Sequence, residues 1–557
     1  MMPHPPVTPA KRVDTARRRG AASDASRRRQ STQRTPRVRF LAWTLLAVAV
    51  VGAALVLGRQ WQVRRMADSL RQRGESLASE KRYADAASYF QRYLQMRPDD
   101  PAARVRLAEV YDLSGASPRR AVELYQSALG AANNSATPES KLAMQTRVVE
   151  LLLEGGMPAA AESEADQLAR MERETNSGRE PAAWRAPSLK ALALFGQFQA
   201  RNAAVSRSTV ERGFQQALEP AAGEPVVYKD PRVYLARYEY RRQQGVPSAE
   251  EDLRRALQLA PQDVAVVLAA ATTAHQKAAA EKDTHGMNAA AKSLFREASG
   301  HYDRAIALAP TDTRGYFGLG QLLTDQGDLA RAIETWQAGL KAAGGRDVAI
   351  HLCLADAFIQ TDRTSEAEAV LQSLDQFRAK LRAQTRIGLQ PLVDLRRGQI
   401  ALRRGDYLKA ISLVAEFATD KEASSSAGGR RAVYQAWLVL GAANAGLKRW
   451  DQAIAAFEQA IAREPRELTA RMSIVAACIA AGRNADGIRY CQQTLTAANA
   501  LARPVVWERQ LIYQQLIALL ELESRTAEAA RYRELRINDI ADSAELTERL
   551  AEEQVWH

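Results

Sequence analysis

The sequence predicts an all-α protein: a solenoid of antiparallel helix pairs, preceded by one transmembrane helix and a disordered basic N-terminal tail. Three observations carry this. A two-helix pattern of bulky and small residues recurs along most of the chain at a constant period. The composition is rich in Ala and Leu with only 6% aromatic residues, which suits helices packed closely over small side chains. One 18-residue stretch, Phe40 to Leu57, carries no charge at all.

The clearest repeat runs from Tyr434 to Pro465 and reads as two amphipathic helices broken at Gly446 to Trp450. Trp437, Leu440 and Gly441 share a face of the first helix; Ala453, Phe457 and Ala460 share a face of the second, and Pro465 stops it. Such a pair cannot bury its apolar face alone and needs copies of itself. Thr313 to Gly344 places Tyr316, Leu319, Gly320, Ala332 and Trp336 in the same slots. Ala67 to Pro98 offers Gly74, Ala86, Phe90 and Pro98, and Asp230 to Pro261 offers Tyr240, Ala249, Ala256 and Pro261. Weaker copies start near Pro101, Val348 and Pro391, one with an expanded linker ends at Pro310, and degenerate pairs cover Leu142 to Leu168, Leu468 to Thr494 and Leu511 to Tyr532.

On these residues the chain resembles the tetratricopeptide repeat (TPR) family. The resemblance implies a right-handed superhelix whose concave groove, lined by the first helix of each pair, grips an extended or helical segment of a partner protein. The matching groove slots hold Tyr234, Tyr238, Arg241 and Arg242 in one repeat and Arg314, Phe317 and Gln321 in another. Aromatic faces beside guanidinium forks suit a partner with carboxylates and apolar side chains. The alternative is that Tyr234 and Tyr238 pack against the neighbouring repeat and the arginines are solvated. Some family members clamp a terminal carboxylate with Lys and Asn; here those slots hold Asp68, Arg71 and Glu75, then Ala102, Val105 and Glu109, so that clamp is not expected.

The net charge of +13 is concentrated at the start of the chain: Met1 to Arg39 holds 11 Lys+Arg against 2 Asp+Glu, a surplus of +9 that leaves +4 for the rest. This tail has almost nothing to bury and is expected to be disordered. It reads as a cytoplasmic positive-inside signal, a polybasic patch on anionic lipid or nucleic acid, or a transit peptide. The next segment favours the first. Phe40 to Leu57 would span roughly 27 Å as a helix, close to a hydrocarbon core, with Trp43 and Trp61 near its ends. It is longer than the apolar region of a cleavable signal peptide, so an uncleaved anchor is expected. The larger basic excess lies before it, which places the N-terminus in the cytoplasm and the array outside, with a bacterial inner membrane and periplasm as the expected setting. Gln60 to Ser79 is already helical in pattern, so the solenoid starts within a turn or two of the membrane surface.

The expected divisions are a tail at 1–39, a transmembrane helix at 40–58, and repeat arrays at 60–218, 230–418 and 430–557. Loops are expected at Ala131 to Glu139, Glu172 to Pro187, Glu219 to Asp230 and Thr419 to Gly429, where polar residues, Pro and Gly gather. The acidic stretch Glu545 to Gln554 suits a terminal cap.

A search for catalytic chemistry returns nothing. Cys353, Cys478 and Cys491 form no C-x-x-C pair, and are expected as buried small hydrophobes, with a Cys478–Cys491 disulfide as the alternative. The six histidines lack metal-ligand spacing, and there is no phosphate loop, nucleophile elbow or dinucleotide fingerprint. The chain therefore reads as a binding protein and not an enzyme, with no cofactor and no metal. Its expected role is a membrane-anchored scaffold that binds other proteins in envelope assembly, secretion or complex organisation. The alternatives are an import or chaperone-docking receptor on an organelle surface, similar to the anchored import receptors of mitochondria, or nucleic-acid or anionic-lipid binding through the tail; nucleic acid is not the expected partner.

Overall fold

The computed structural model describes residues 35–115, 117–131, 137–176, 184–219, 229–380, 383–420, 426–501 and 506–541. Among them the regular elements are 24 α-helices. The chain divides into two compact units, Met1–Ala200 and Arg201–His557. Most of the expected tail, the acidic stretch 545–554 and the centres of the expected loops lie outside the described residues.

The first unit begins with α1 (Thr35–Ser79), a single helix of 45 residues that joins the apolar segment to the first repeat without a break. Its N-terminal part carries Trp43, Leu45, Val48, Val51 and Leu57 more than half exposed, and it is long and apolar enough to cross a membrane. Its C-terminal part is a repeat helix: Ala67 and Leu77 are buried, and Gly74 lies under the Phe90 ring of α2 (Tyr83–Met96). Two further hairpins follow, α3 (Pro101–Ser114) with α4 (Pro118–Ala131) and α5 (Pro138–Glu154) with α6 (Pro158–Asn176), and α7 (Ala186–Gln199) packs on the last of them. Small Ala121, Ala128, Ala161 and Ala193 interdigitate with Val148, Val149, Leu168 and Leu189 in one buried cluster. The first helices are also tied side to side. Arg106 of α3 pairs with Glu75 of α1, and Arg147 of α5 holds Asp112 of α3 with both forks, at 2.7 Å each.

The second unit opens with α8 (Arg207–Leu218), whose Phe214 ring meets Tyr240 of α9 (Pro231–Gln243) at 5.8 Å between centroids. Helix α9 pairs with α10 (Ala249–Leu259) and α11 (Val264–His285) with α12 (Ala289–Leu308); α13 (Thr313–Asp325) with α14 (Leu329–Ala342) and α15 (Val348–Gln360) with α16 (Thr364–Arg378) continue the stack. Four pairs complete it: α17 (Ala383–Arg403) with α18 (Tyr407–Thr419), α19 (Ala427–Gly446) with α20 (Trp450–Arg463), α21 (Thr469–Ala480) with α22 (Asn484–Asn499), and α23 (Val506–Leu522) with α24 (Thr526–Ala541). Consecutive helices joined by such short turns must run antiparallel, and each hairpin then covers the apolar face of the next.

Why the helices start where they do is written locally. Asp100, Asp230, Asp263, Asp312 and Asp347 each accept a backbone N–H of the first turn that follows, so the carboxylate caps a first helix of a pair. Pro98, Pro261 and Pro310 stand two residues before three of these caps and end the preceding helix. Within the hairpins, fully buried Ala332, Ala453 and Ala460 let the axes approach while Trp336 and Phe457 fill the remaining space.

Four boundaries differ from the expectation. Helix α1 starts at Thr35, so the last residues of the stretch read as a disordered tail are helical: Pro36 sits in the first turn, where its fixed φ suits a helix start, and the chain runs on directly into the apolar segment. Glu172 is not a connector residue: α6 continues to Asn176, and the buried Glu172 carboxylate accepts the backbone N–H groups of Arg185 (2.8 Å) and Ala186 (3.3 Å) at the start of α7. Pro391 does not open its helix but sits inside α17, which begins at Ala383. Gly428 and Gly429 belong to α19, capped by the Ser426 hydroxyl accepting Gly429 N–H at 3.0 Å.

Candidate binding face on the first helices

In the second unit the first helices α9, α11, α13, α15 and α17 follow one another, and side-chain bonds join each to the next. The Tyr238 hydroxyl of α9 lies 2.5 Å from the Thr273 hydroxyl of α11, and Arg242 donates to Gln276 at 3.1 Å. His275 of α11 meets Asp325 of α13 at 2.8 Å, its ring against Phe295 and Tyr302. Gln321 of α13 donates to the Cys353 sulfur of α15 at 3.2 Å, and Arg396 of α17 reaches Asp356 of α15 at 2.6 Å. The result is a continuous polar-edged face presented by five helices.

The residues singled out from the sequence fall into two groups on this face, with α11 between them. Tyr234 and Tyr238 are buried, 8% and 3% exposed, so their rings support the helix packing; guanidinium groups cover them, Arg237 over Tyr234 and Arg242 over Tyr238, each at 5.9 Å. Arg241 turns to Asp252 of α10 at 2.9 Å. Arg242 stays exposed beyond its contact to Gln276. In the second group Arg314 is exposed and paired with its own cap, Asp312, at 2.6 Å, which holds the Asp312 carboxyl below the usual carboxylate range. Phe317 is half-buried, and its carbonyl accepts the Trp336 indole N–H at 3.3 Å.

Sequence reasoning missed the strongest electrostatic feature here. Arg237 and Asp252 are both buried, and the Asp252 carboxylate is gripped by Arg237 (2.6 Å) and Arg241 (2.9 Å) while Arg237 also reaches Glu219 at 2.8 Å. Burial opposes the Arg237 charge, yet the bonds to Asp252 and Glu219 outweigh it and push its pKa above the usual arginine range. No local motif marks this cluster, because its members are separated by a turn and a loop. The three thiols are free; Cys478 and Cys491 are buried, and burial pushes the Cys491 thiol up to about 12 and that of Cys353 up to about 11. Among the described residues no group of three or more His, Cys, Asp or Glu side chains is placed to hold a metal ion.

Family models of the tetratricopeptide repeat match several stretches of this chain. One tetratricopeptide repeat family model matches residues 77–119, and another matches 284–345, 321–380 and 438–502. No curated protein matches the sequence. Similar solved structures include the Cut9-Hcn1 hetero-tetramer of the APC/C, at 14% identity over 82% of this chain and 96% of that chain with a TM-score of 0.32. A tetratricopeptide repeat protein from Parabacteroides merdae ATCC 43184 is 14% identical over 50% of this chain and 96% of its own, at a TM-score of 0.33. Yeast Tom70 is 14% identical over 86% and 99%, at 0.30. The recurring hairpins, their small-over-bulky packing and these four matched segments together identify tetratricopeptide repeats in this chain.

Proposed function

We propose that this chain is a membrane-anchored scaffold that binds segments of other proteins on the first-helix face of its second unit. The observation that carries the reading is the side-by-side bonding of α9, α11, α13, α15 and α17, which gives a rigid surface long enough to hold an extended or helical peptide. Arg242, Arg314, Phe317 and Gln321 would meet the partner, and Tyr234, Tyr238 and Arg241 would hold the surface in shape. Exposed Arg242 and Arg314 favour a segment with carboxylates, and half-buried Phe317 one with an apolar side chain.

The anchor in this reading is the N-terminal part of α1, whose apolar side chains have no protein to cover them among the described residues. The basic excess before it favours a cytoplasmic N-terminus and a periplasmic array in a bacterial inner membrane. Two experiments test the proposal. Crosslinking and recovery of partners by the full chain, compared between wild type and Arg242→Glu with Arg314→Glu, should lose specific partners in the variant; unchanged recovery of all partners removes this face. A reporter fused to the C-terminus should report the extracytoplasmic side, and a cytoplasmic signal reverses the orientation.

A further inference from the structure

Within the first unit, α1 does more than emerge from its apolar segment. One to two turns beyond Leu57 it packs beside the turn that joins α2 to α3, and the two together line a cleft of ≈ 830 Å³. Arg59, Val63 and Arg64 form one wall; Met96, Arg97 and Pro98 to Pro101 form the other. The turn is held firmly. Asp100 accepts Ala103 N–H at 3.1 Å and the Tyr93 hydroxyl at 2.6 Å and faces Arg71 at 4.0 Å, and Arg104 donates to the Pro98 carbonyl. The acid of Asp100 is thereby occupied, and Asp99 alone among the lining carboxylates is open. Among the described residues Arg59, Arg64 and Arg97 have no ion-pair partner. Around them Trp61, Val63, Met66 and Met96 are exposed, at 63%, 36%, 51% and 39%, and Arg65 lies over the Trp61 ring at 5.5 Å.

Unpaired arginines, an interfacial tryptophan and exposed thioethers, all within about 14 Å along the axis of the apolar run's last residue, match the depth at which phospholipid phosphates and glycerol backbones lie. We propose that this cleft binds the phosphate of an anionic phospholipid, so that the first repeat rests on the membrane surface through its α2–α3 turn. The inference rests on the reading of α1 as a membrane anchor and adds a second, peripheral contact. The guanidinium groups of Arg59, Arg64 and Arg97 supply the donors and outnumber the one open carboxylate, Asp99, and Met96 and Val63 meet the acyl edge.

The test uses the full chain in nanodiscs of phosphatidylcholine with or without phosphatidylglycerol. A fluorophore is placed on Met96→Cys in a Cys353→Ala background, where buried Cys478 and Cys491 do not label. A control probe sits on Leu113→Cys, exposed at the far end of α3. The expected result is quenching of the probe at 96 by headgroup spin-labelled lipid that rises with phosphatidylglycerol, is absent at 113, and is not competed by inorganic phosphate. Arg64→Glu with Arg97→Glu should lower the ratio of docked to undocked chain about fivefold for each arginine charge removed. Equal quenching in both lipids, or no loss in the double variant, overturns the phosphate site. Quenching absent at 96 in a chain that still co-elutes with the nanodisc overturns the docking and leaves the anchor standing, and a chain that elutes free of lipid overturns both.

Discussion

Trp336 lies directly across Gly320: a Cβ added at Gly320 would come within 2.2 Å of the indole Nε1. The contact joins α13 to α14 inside one repeat, and it recurs at Gly441 against Phe457, where the same addition would reach the ring at 2.4 Å. Neither ring can retreat, because Trp336 and Phe457 are 2% and 3% exposed. Gly320→Ala is therefore expected to destabilise the second unit by about 2 kcal/mol by overpacking, despite the better helix propensity of Ala. Chemical denaturation followed by helix content checks this, and a neutral or stabilising Gly320→Ala would show that the hairpin spacing is looser than described.

Removing the ring instead of crowding it should cost more. Phe457→Ala leaves a cavity between α19, α20 and α21 and is expected to lower stability by about 3–5 kcal/mol, with Phe457→Leu recovering most of it. The measurement is the denaturation midpoint at unchanged slope.

The Arg237–Asp252 pair gives a different signature. With both partners buried, Arg237→Met leaves Asp252 with only Arg241, and a loss of about 3 kcal/mol is expected. The double variant Arg237→Met with Asp252→Leu should lose less than Arg237→Met alone, since the charges it leaves without a partner, Arg241 and Glu219, are partly or largely exposed and can be solvated. A larger loss in the double variant would mean the cluster is held by shape and not by charge.

Acid separates the ion pairs of the first unit. The hydrogen bond from Arg106 holds the Glu75 carboxyl below the usual glutamate range. A carboxylate with a lowered folded pKa stabilises fully above its unfolded pKa of about 4.3 and progressively less as pH falls through the folded value. The stability difference between wild type and Glu75→Gln should be fully present at neutral pH, begin to fall only below about pH 4.3, and vanish once the pH is below the lowered folded pKa of Glu75. A difference that persists in acid would assign the effect to packing.

Thiol chemistry reports on the last repeats. Buried, with its pKa pushed up to about 12, Cys491 should not react with a thiol reagent at neutral pH until the second unit unfolds, and Cys478 should behave likewise. Rapid labelling of either in the native protein would place α21 and α22 in an open state.

Much of this fold was legible because each repeat writes the same local chemistry. Tyr316, Gly320, Ala332 and Trp336 could be aligned with Trp437, Gly441, Ala453 and Phe457 from spacing alone, and the structure packs both sets as hairpins. Gly318 was not legible in that way: its neighbour is Tyr302 of the preceding pair, 2.2 Å from an added Cβ, and contacts between pairs have no fixed spacing along the chain. Pro391 misled for a related reason. A proline usually marks the first turn of a helix, but here α17 begins at Ala383 and carries the residue within it. Tyr238 illustrates the limit at the candidate site. Its position on the first-helix face followed from the repeat, but its burial depends on Thr273 and Arg242, and the sequence does not state which side chain fills the gap between α9 and α11.

The unbroken run of α1 couples its two ends by helical phase. Each residue advances an α-helix by about 100° and 1.5 Å, so a single residue inserted between Leu57 and Ala67 would swing the whole first hairpin about a quarter turn around the rod. Seven inserted residues would restore its azimuth and lift it by about 10 Å. The direction in which the first hairpin faces around α1 is thus encoded in a residue count, and length changes in that short stretch act as a dial.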